Sequence, residues 1–477
     1  MSDPDTSRQS MTENQSNPVD RLFQKRKKIH PRFVNGVFQK WRIAMMLFIM
    51  VIFYTLPWLT FGDRPLILID FASRRFYLFN TVFWPQDVIY VTALLIVAAY
   101  SLFLFTAIAG RLFCGYACPQ TVYTELLMWI ERAIEGDRNA RIRLDAAPWS
   151  ASKIAKKSLK HAVWLVVALC SGITFVGYFV PIREVISLLP FGVSGWLLFF
   201  IVLFSAMVYG LGGHMREQVC KYMCPYARFQ SAMLDRDSMI VTYDQARGEP
   251  RGAAKKSDAA SDKKGDCVDC NLCVHVCPTG IDIRKGLQYE CIGCGACIDA
   301  CDSVMVKMKK PIGLVRYFTE NAQEKGLTRS QMLRRVFRWR TLIYMGILLA
   351  IVATVVATLV TRNPLRFDVI RDRGVMAREA APGVIENVYR LQMMNTEESA
   401  RRFSVTVEGL DGIFVETPKT EVLMDALEVR MVPVSVRLPV SRSGTNQGIY
   451  PITFTVRSTD GSNRERHEKS TFMIPRY

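Results

Sequence analysis

The sequence predicts a multidomain membrane protein in three parts: an α-helical transmembrane bundle of about five helices, a cysteine-dense α+β module, and an all-β sandwich. Three observations carry this. Half of the 477 residues are hydrophobic, and they gather in runs of about 20, the length a helix needs to cross a bilayer. Twelve of the 13 cysteines fall into four tight motifs. From about residue 366 onward, apolar and polar residues alternate between Gly, Asp and Asn turns, as in antiparallel strands.

The length exceeds one ordinary globular core, so a membrane part and at least two soluble modules are expected. Residues 1–40 are polar and then basic (Arg21, Lys25, Arg26, Lys27, Lys28, Arg32) and read as a disordered cytosolic tail. No short apolar core with a small-residue cleavage site begins the chain, so this is not a secretory signal. Five runs qualify as membrane helices, at about 43–61, 88–110, 162–182, 192–213 and 341–361. The net charge of +18 is of the kind that attracts nucleic acid, but the Lys and Arg residues cluster beside the apolar runs, where they set orientation and meet anionic lipid. Basic loops at 111–160 and 214–340 place the N-terminus and the cysteine-rich segment in the cytosol and the C-terminus outside. Trp58, Trp84, Trp164, Trp196 and Tyr344 near span ends read as interfacial anchors.

The implied domains are the tail (1–40), a four-helix membrane domain (41–240), a linker (241–264), a cysteine-dense domain (265–310), a cytosolic connector (311–340), the fifth helix (341–361) and the external sandwich (362–477). The linker is assigned from its Gly/Ala/Ser/Lys-rich stretch at 248–264. The sandwich contains no cysteine, so no disulfide staples it.

Cys267, Cys270, Cys273 and Cys277-Pro278 follow the C-x2-C-x2-C-x3-C-P spacing, and Cys291, Cys294, Cys297 and Cys301 repeat it, with Asp302 in place of the proline. That spacing wraps three sulfurs around one iron–sulfur cluster while the fourth crosses to the other. It assigns Cys267, Cys270, Cys273 and Cys301 to one 4Fe-4S cluster and Cys277, Cys291, Cys294 and Cys297 to a second, in a bacterial-type 2×4Fe-4S ferredoxin module. Structural zinc uses two C-x2-4-C pairs with a longer spacer and fits less well. His275 lies inside the first run as a neighbour of the cluster, since eight thiolates already suffice.

A second element occurs twice: Cys114-x3-Cys118-Pro119 and Cys220-x3-Cys224-Pro225, each just after a span that exits into the cytosol. The i, i+4 spacing puts both sulfurs on one helix face, and the proline biases the residue before it out of helix. Two dithiols at one membrane edge can meet as a four-sulfur site for Cu(I), zinc or a further iron–sulfur cluster. Met215, Met223 and His214 are additional candidate copper ligands, and Arg216, Lys221 and Arg228 are expected to lower the thiol pKa values. Cys170, alone in an apolar span, reads as a small filler.

These motifs, together with CGYACPQTVYTE at 114–125, REQVCKYMCPYARFQSAM at 216–233, RGEPRG at 247–252 and PIGLVRY at 311–317, resemble the cytochrome c oxidase accessory proteins of the CcoG (FixG or RdxA) type. The resemblance implies an immunoglobulin-like fold for the external domain and residence in the bacterial inner membrane. It further implies a role in assembling cbb3-type oxidase through reduction of Cu(II) to Cu(I). Cys114, Cys118, Cys220 and Cys224 then act as catalytic, copper-binding residues. Implied partners are oxidase assembly factors, a copper chaperone or exporter, an electron donor and the lipid bilayer, with no nucleic acid. The alternative is a membrane ferredoxin-type carrier, similar to quinol dehydrogenase subunits, with a further cluster at the same four cysteines and no copper role.

Overall fold

A computed structural model describes residues 28–475 apart from 63, 80, 190–191, 253–264, 362–364, 372–376, 398, 417–420, 440–447 and 461–463. It separates into two compact units, residues 1–352 and 353–477. Among the described residues, five helices are long and apolar enough to cross a membrane: Val37–Trp58, Pro85–Ala109, Ala151–Val176, Gly195–Met215 and Trp339–Val360. Their outward faces carry exposed apolar side chains such as Leu94, Leu95, Phe199, Val202, Leu349 and Val356. Exposed apolar helix faces of this length are what hydrocarbon covers.

The third span begins at Ala151 rather than near 162. Ser150 caps it, its hydroxyl accepting from the Lys153 N–H at 3.2 Å, and Lys157 and Lys160 find carboxylate partners that let the helix continue through its charged turns. Trp164 is not an interfacial anchor. It is 2% exposed and donates Nε1–H to the Leu127 carbonyl at 3.1 Å, so it centres the bundle instead. The segment after the first span folds into a small antiparallel sheet of Ile67–Asp70, Arg75–Leu78 and Thr81–Phe83.

Two segments expected to be loose are built into the fold. Tail residues 28–36 run extended along the protein: the Arg32 N–H donates to the His275 carbonyl at 2.8 Å, and the Phe33 ring lies 3.6 Å from the Arg132 guanidinium. The first helix then starts against Asp299, whose carboxylate accepts from the Phe38 and Gln39 N–H groups at 3.2 and 2.8 Å. An acidic side chain at a helix N-terminus satisfies orphan donors and complements the helix dipole. Likewise, the described part of the expected linker belongs to the cysteine-rich module. Ile240–Tyr243 pairs antiparallel with Val315–Phe318, and Arg247 bonds Asp266 at 2.6 Å. Residues 253–264, the rest of that expected linker, lie outside the described residues, as does the tail before 28.

Within the second unit, two antiparallel sheets face each other. One orders Phe414–Glu416, Val429–Pro439, Val384–Asn395 and Leu365–Arg371, with Arg378–Ala381 also paired to Val384–Asn395. The other orders Glu421–Met424, Arg401–Glu408, Gly448–Ser458 and Glu465–Ile474. Alternate residues point inward, giving a core of Tyr389, Leu391, Val436, Phe454 and Phe472 that is at most 1% exposed. The Tyr389 hydroxyl is satisfied by the Thr471 carbonyl at 2.9 Å.

A buried ion-pair network organises the first unit. Glu131, on the helix Pro119–Glu135, meets Arg216 at 2.8 Å, Arg141 at 3.2 Å and Lys160 at 3.6 Å. Its neighbour Glu135 meets Lys160 at 2.8 Å and Lys157 at 3.0 Å. Burial alone would raise the Glu131 pKa, but the three cations overcome it and hold the carboxyl down at about 2. The folded pKa is thus depressed, so this group's stabilisation is present above the ordinary 4.5 and is lost as pH falls toward 2. Glu131→Gln strands three cations in a buried space, and we expect a loss of about 3–5 kcal/mol, read as a lowered unfolding temperature of the full chain in detergent at neutral pH. An unchanged temperature would remove Glu131 from its organising role.

Candidate iron–sulfur and thiol site

The eight cysteines of the ferredoxin spacing line two adjoining voids. Cys267, Cys270, Cys273 and Cys301 border one, closed by Tyr243, Arg284, Leu314 and Val315. Cys277, Cys291, Cys294 and Cys297 border the other, which Cys273 also touches. The grouping is the crossed one that the spacing requires. The walls form because Asp269, Asn271, Gly293 and Gly295 all take positive φ, winding the backbone tightly enough to turn N–H groups inward. One result is the Gly293 N–H donating to the Cys291 sulfur at 3.4 Å.

Burial, reinforced by neighbouring thiols, pushes the Cys273 thiol up to about 11 and those of Cys291 and Cys301 up to about 12. Bare thiolates are costly there, whereas ligation removes the proton outright. Among the described residues no three His, Cys, Asp or Glu side chains converge as a single-ion site. A lone zinc at about 2.3 Å from each sulfur would need that convergence. Eight thiols spread around two voids fit a pair of four-cysteine clusters instead.

The twin motifs share one backbone design. The short helix Leu112–Tyr116 carries Cys114, and Cys118 leaves it in extended conformation, φ −62° and ψ 127°. Cys220 sits on a π-helical turn, Val219–Met223, and Cys224 is again extended, φ −76° and ψ 110°. In both, the second cysteine donates its N–H five residues back, Cys118 to the Phe113 carbonyl at 2.9 Å and Cys224 to the Val219 carbonyl at 2.8 Å. The prolines do more than end a turn: Pro119 and Pro225 each open the next helix at N1, where no N–H is needed.

The two motifs lie near each other, though among the described residues no three of their thiols converge on a single-ion site. Burial pushes the Cys114 thiol up to about 12, and Cys118, Cys220 and Cys224 all contribute to that rise. Cys220, pushed to about 11 by burial, feels Cys118 and Cys224 in turn. Gln230 ties them together, accepting from the Cys114 thiol at 3.4 Å while donating to the Gly110 carbonyl at 3.2 Å. At Cys114 and Cys220 the expected lowering by Arg216 does not occur, as its guanidinium is turned to Glu131 and to the Gly213 carbonyl at 2.7 Å. The cation that does oppose the rise at Cys114 is Arg111.

The twin site also abuts the second void. Gly115 lies so close to the cluster loop that a Cβ there would fall 2.9 Å from both the Cys294 Cα and the Ile292 carbonyl oxygen. Tyr116 donates its hydroxyl to the Cys294 carbonyl at 3.2 Å, and Arg111 donates to the carbonyls of Cys291 at 3.0 Å, Ala227 at 3.1 Å and Tyr289. Cys114 and Cys220 pack in one apolar cluster with Ile292, Cys294 and Cys297. Sequence reasoning missed Arg111, Gly115, Tyr116, Gln230 and Asp299. Only Gly115 and Tyr116 carried a signal, as the filling of a Cys-x3-Cys motif.

Other expectations fared unevenly. His275 is half-buried and contributes its backbone carbonyl to the docked tail. Cys170 is exposed on the flank of the third span rather than filling a core. His214 is exposed and stacks on His161, Met223 is exposed, and Met215 is half-buried.

Comparison with known proteins follows this architecture. Residues 215–320 match the family described as a 4Fe-4S dicluster domain, residues 90–135 a 4Fe-4S binding domain, and residues 355–475 the IG-like fold at the C-terminus of FixG. The chain is 41% identical to the nitrogen fixation protein FixG of Rhizobium meliloti (strain 1021), over 82% of this chain and 80% of that one. It is 40% identical to protein RdxB of Cereibacter sphaeroides, over 81% and 83% of the two chains. Protein RdxA of the same organism is 40% identical over 82% and 84%. Four apolar spans, an iron–sulfur module, a fifth span and an immunoglobulin-like domain in this order, with identity along four-fifths of the chain, place the protein in the FixG/RdxA family.

Proposed function

We propose that this chain is an electron-transfer protein of the bacterial inner membrane that reduces Cu(II) to Cu(I) at the twin motifs, in the assembly of cbb3-type cytochrome c oxidase. The observation carrying this reading is the contact of Gly115 with Cys294, which sets the Cys114/Cys118/Cys220/Cys224 site directly against the cysteines of the second void. The eight ferredoxin cysteines would hold two 4Fe-4S clusters, which when bound supply one-electron relay at low potential. The chain's own residues then do three things. Cys114, Cys118, Cys220 and Cys224 present soft sulfur, which favours Cu(I) over Cu(II) and so raises the potential of the copper couple. Arg111 and Tyr116 fix the loop that joins the two sites. The bundle around Gln230 and Leu127 excludes water on the membrane side.

In this reading the basic loops put the N-terminus and the ferredoxin module in the cytosol and the sandwich in the periplasm, by the positive-inside rule. Cu(II) is a substrate that arrives, accepts one electron and leaves as Cu(I) toward a chaperone or exporter. The sandwich faces the oxidase assembly factors, and the electron donor is a separate protein or small carrier.

A second reading rests on one specific observation. The 4Fe-4S binding family that matches residues 90–135 covers Cys114 and Cys118, which favours a third cluster at the four twin-motif cysteines and a carrier without copper. Metal counts on anaerobically purified protein separate the two: about eight iron per chain supports copper reduction, about twelve supports the third cluster.

Replacing Cys114 and Cys118 together by Ser, with dithionite as electron source and a Cu(I)-specific chelator as readout, is expected to abolish Cu(I) formation while the eight ferredoxin-bound iron atoms stay. Undiminished reduction would overturn the copper assignment. Gly115→Val probes the contact itself. Overpacking against Cys294 is expected to cost about 1–3 kcal/mol and to slow reoxidation of the reduced protein by Cu(II), with iron content unchanged. A wild-type reoxidation rate in that variant would show that electrons do not cross there.

A further inference from the structure

We propose that Arg111 is the counter-ion shared by the second ferredoxin centre (Cys277, Cys291, Cys294 and Cys297) and the twin thiols, and that its charge draws electrons from the first centre to the second. The inference rests on the two-cluster part of the reading above and is independent of copper.

Arg111 stands at the N-cap of the helix Leu112–Tyr116, which carries Cys114. Gly110 before it takes φ +56°, and a Cβ there would fall 2.4 Å from the Met239 carbonyl oxygen, so glycine is what permits the turn that delivers the arginine. On the other side Gly293, of the ferredoxin loop, packs so closely that a Cβ would lie 3.1 Å from the Arg111 carbonyl carbon. One guanidinium nitrogen donates to the carbonyls of Cys291, at 3.0 Å, and Tyr289, and the other to the Ala227 carbonyl at 3.1 Å. Ala227 belongs to the helix Pro225–Met233, which follows Cys224. A single side chain thus touches the loop of the second centre and the segments behind both dithiols.

All of these partners are neutral, and that sets Arg111 apart. It is 6% exposed, its Nε has no hydrogen-bond partner, and among the described residues no carboxylate pairs with it. The other buried guanidinium groups are matched: Arg42 by Glu125 at 2.7 Å, Arg216 by Glu131 at 2.8 Å, and Arg284, beside the first centre, by Asp282 at 2.8 Å and by Asp269. A buried charge without a counter-charge is costly. The negative charges that Arg111 feels most are the sulfurs of Cys291 and Cys114, ahead of the Glu290 carboxylate, and each of those sulfurs feels Arg111 in return. Its missing counter-charge is therefore supplied when the sulfurs on either side are ionised.

The electrostatics give this a direction. Four thiolates around an iron–sulfur cluster leave net negative charge, which grows by one on reduction, and potential follows charge and solvent exposure. Cys291 and Cys294 are buried, whereas Cys270 of the first centre is exposed, so burial alone would make the second centre the harder to reduce. An unmatched cation bonded to its loop acts with the opposite sign. At an effective dielectric constant of about 20, unit charges about 7 Å apart interact by more than a tenfold change in equilibrium constant. Arg284 supplies no such excess to the first centre, because its charge is matched. One electron leaves the first centre as the second gains one, with no proton or bond exchanged, and it settles beside the twin thiols.

The test is a redox titration followed by EPR on the full-length protein, purified anaerobically in detergent, with iron counted in each sample. Cys270→Ser identifies the first centre as the signal it alters. In the wild type we expect the second centre to reduce at the higher potential. Arg111→Gln should make its reduction at least tenfold less favourable, a fall of about 59 mV for one electron, and leave the first centre in place. Arg111→Lys, which keeps the charge, should recover most of that fall. A second centre below the first in the wild type, an unmoved second centre in the glutamine protein, an equal shift of both centres, or a lysine protein that falls as far as the glutamine one would overturn the proposal. Loss of iron in the glutamine protein with retention in the lysine protein would support it, while loss in both would assign Arg111 a structural part only and overturn it. Potentials that move as expected in a protein that forms no Cu(I) from Cu2+ would keep the role of Arg111 and refute the copper reading. Cu(I) formation with an unmoved second centre would do the reverse.

Discussion

Glu131 is the residue on which the geometry of the first unit depends. It sits on the helix opened by Pro119, immediately after the first cysteine pair, and it holds Arg216, four residues before Cys220. One carboxylate therefore links the helix behind one dithiol to the turn ahead of the other, and through Lys160 it anchors both to the third span. A buried ion pair of this kind gains little over a well-packed apolar contact. What it supplies here is position: the carboxylate is satisfied only when three separate segments arrive together.

That position matters because the thiol site and the ferredoxin loop approach backbone to backbone at Gly115, with the Arg111 and Tyr116 side chains bonded to the same loop. Gly115 has no Cβ, and the loop at Ile292–Cys294 occupies the space one would take. The interlock is closed from the other side by Asp299, which lies between two cluster cysteines, Cys297 and Cys301, and caps the first membrane helix. Any tilt of that helix is thereby felt by the segment that carries the clusters. The cysteine-rich module is thus bonded to the helical bundle at the first helix and at the first cysteine motif.

Much of this was legible in the chain and some was not, for definite physical reasons. The five spans, the two crossed sets of four cysteines and the strands of the sandwich were readable because each is set by local period or spacing. Their limits failed where charged residues found buried partners. Lys157 and Lys160 extend a helix beyond its apolar run because Glu131, Glu135 and Asp145 await them. The same blindness to partners made Trp164 look interfacial and residues 28–36 look loose. The pKa expectation for the twin cysteines failed likewise. Arg216 is near Cys220 in sequence but committed to Glu131, whereas the cation that opposes the rise at Cys114 is Arg111, three residues before it.

The distribution of cysteine closes the logic of the two units. Free thiols persist in a reducing compartment and pair in an oxidising one. Ligand thiols must stay reduced until loaded, and all twelve motif cysteines lie in the first unit. The sandwich carries no cysteine at all. It therefore derives its order from packing alone, with Tyr389, Phe454 and Phe472 filling the space between the sheets and the tyrosine hydroxyl satisfied by backbone. A sandwich held by apolar burial has no thiol to oxidise and none to capture a soft metal, so its order does not depend on the redox state of its surroundings.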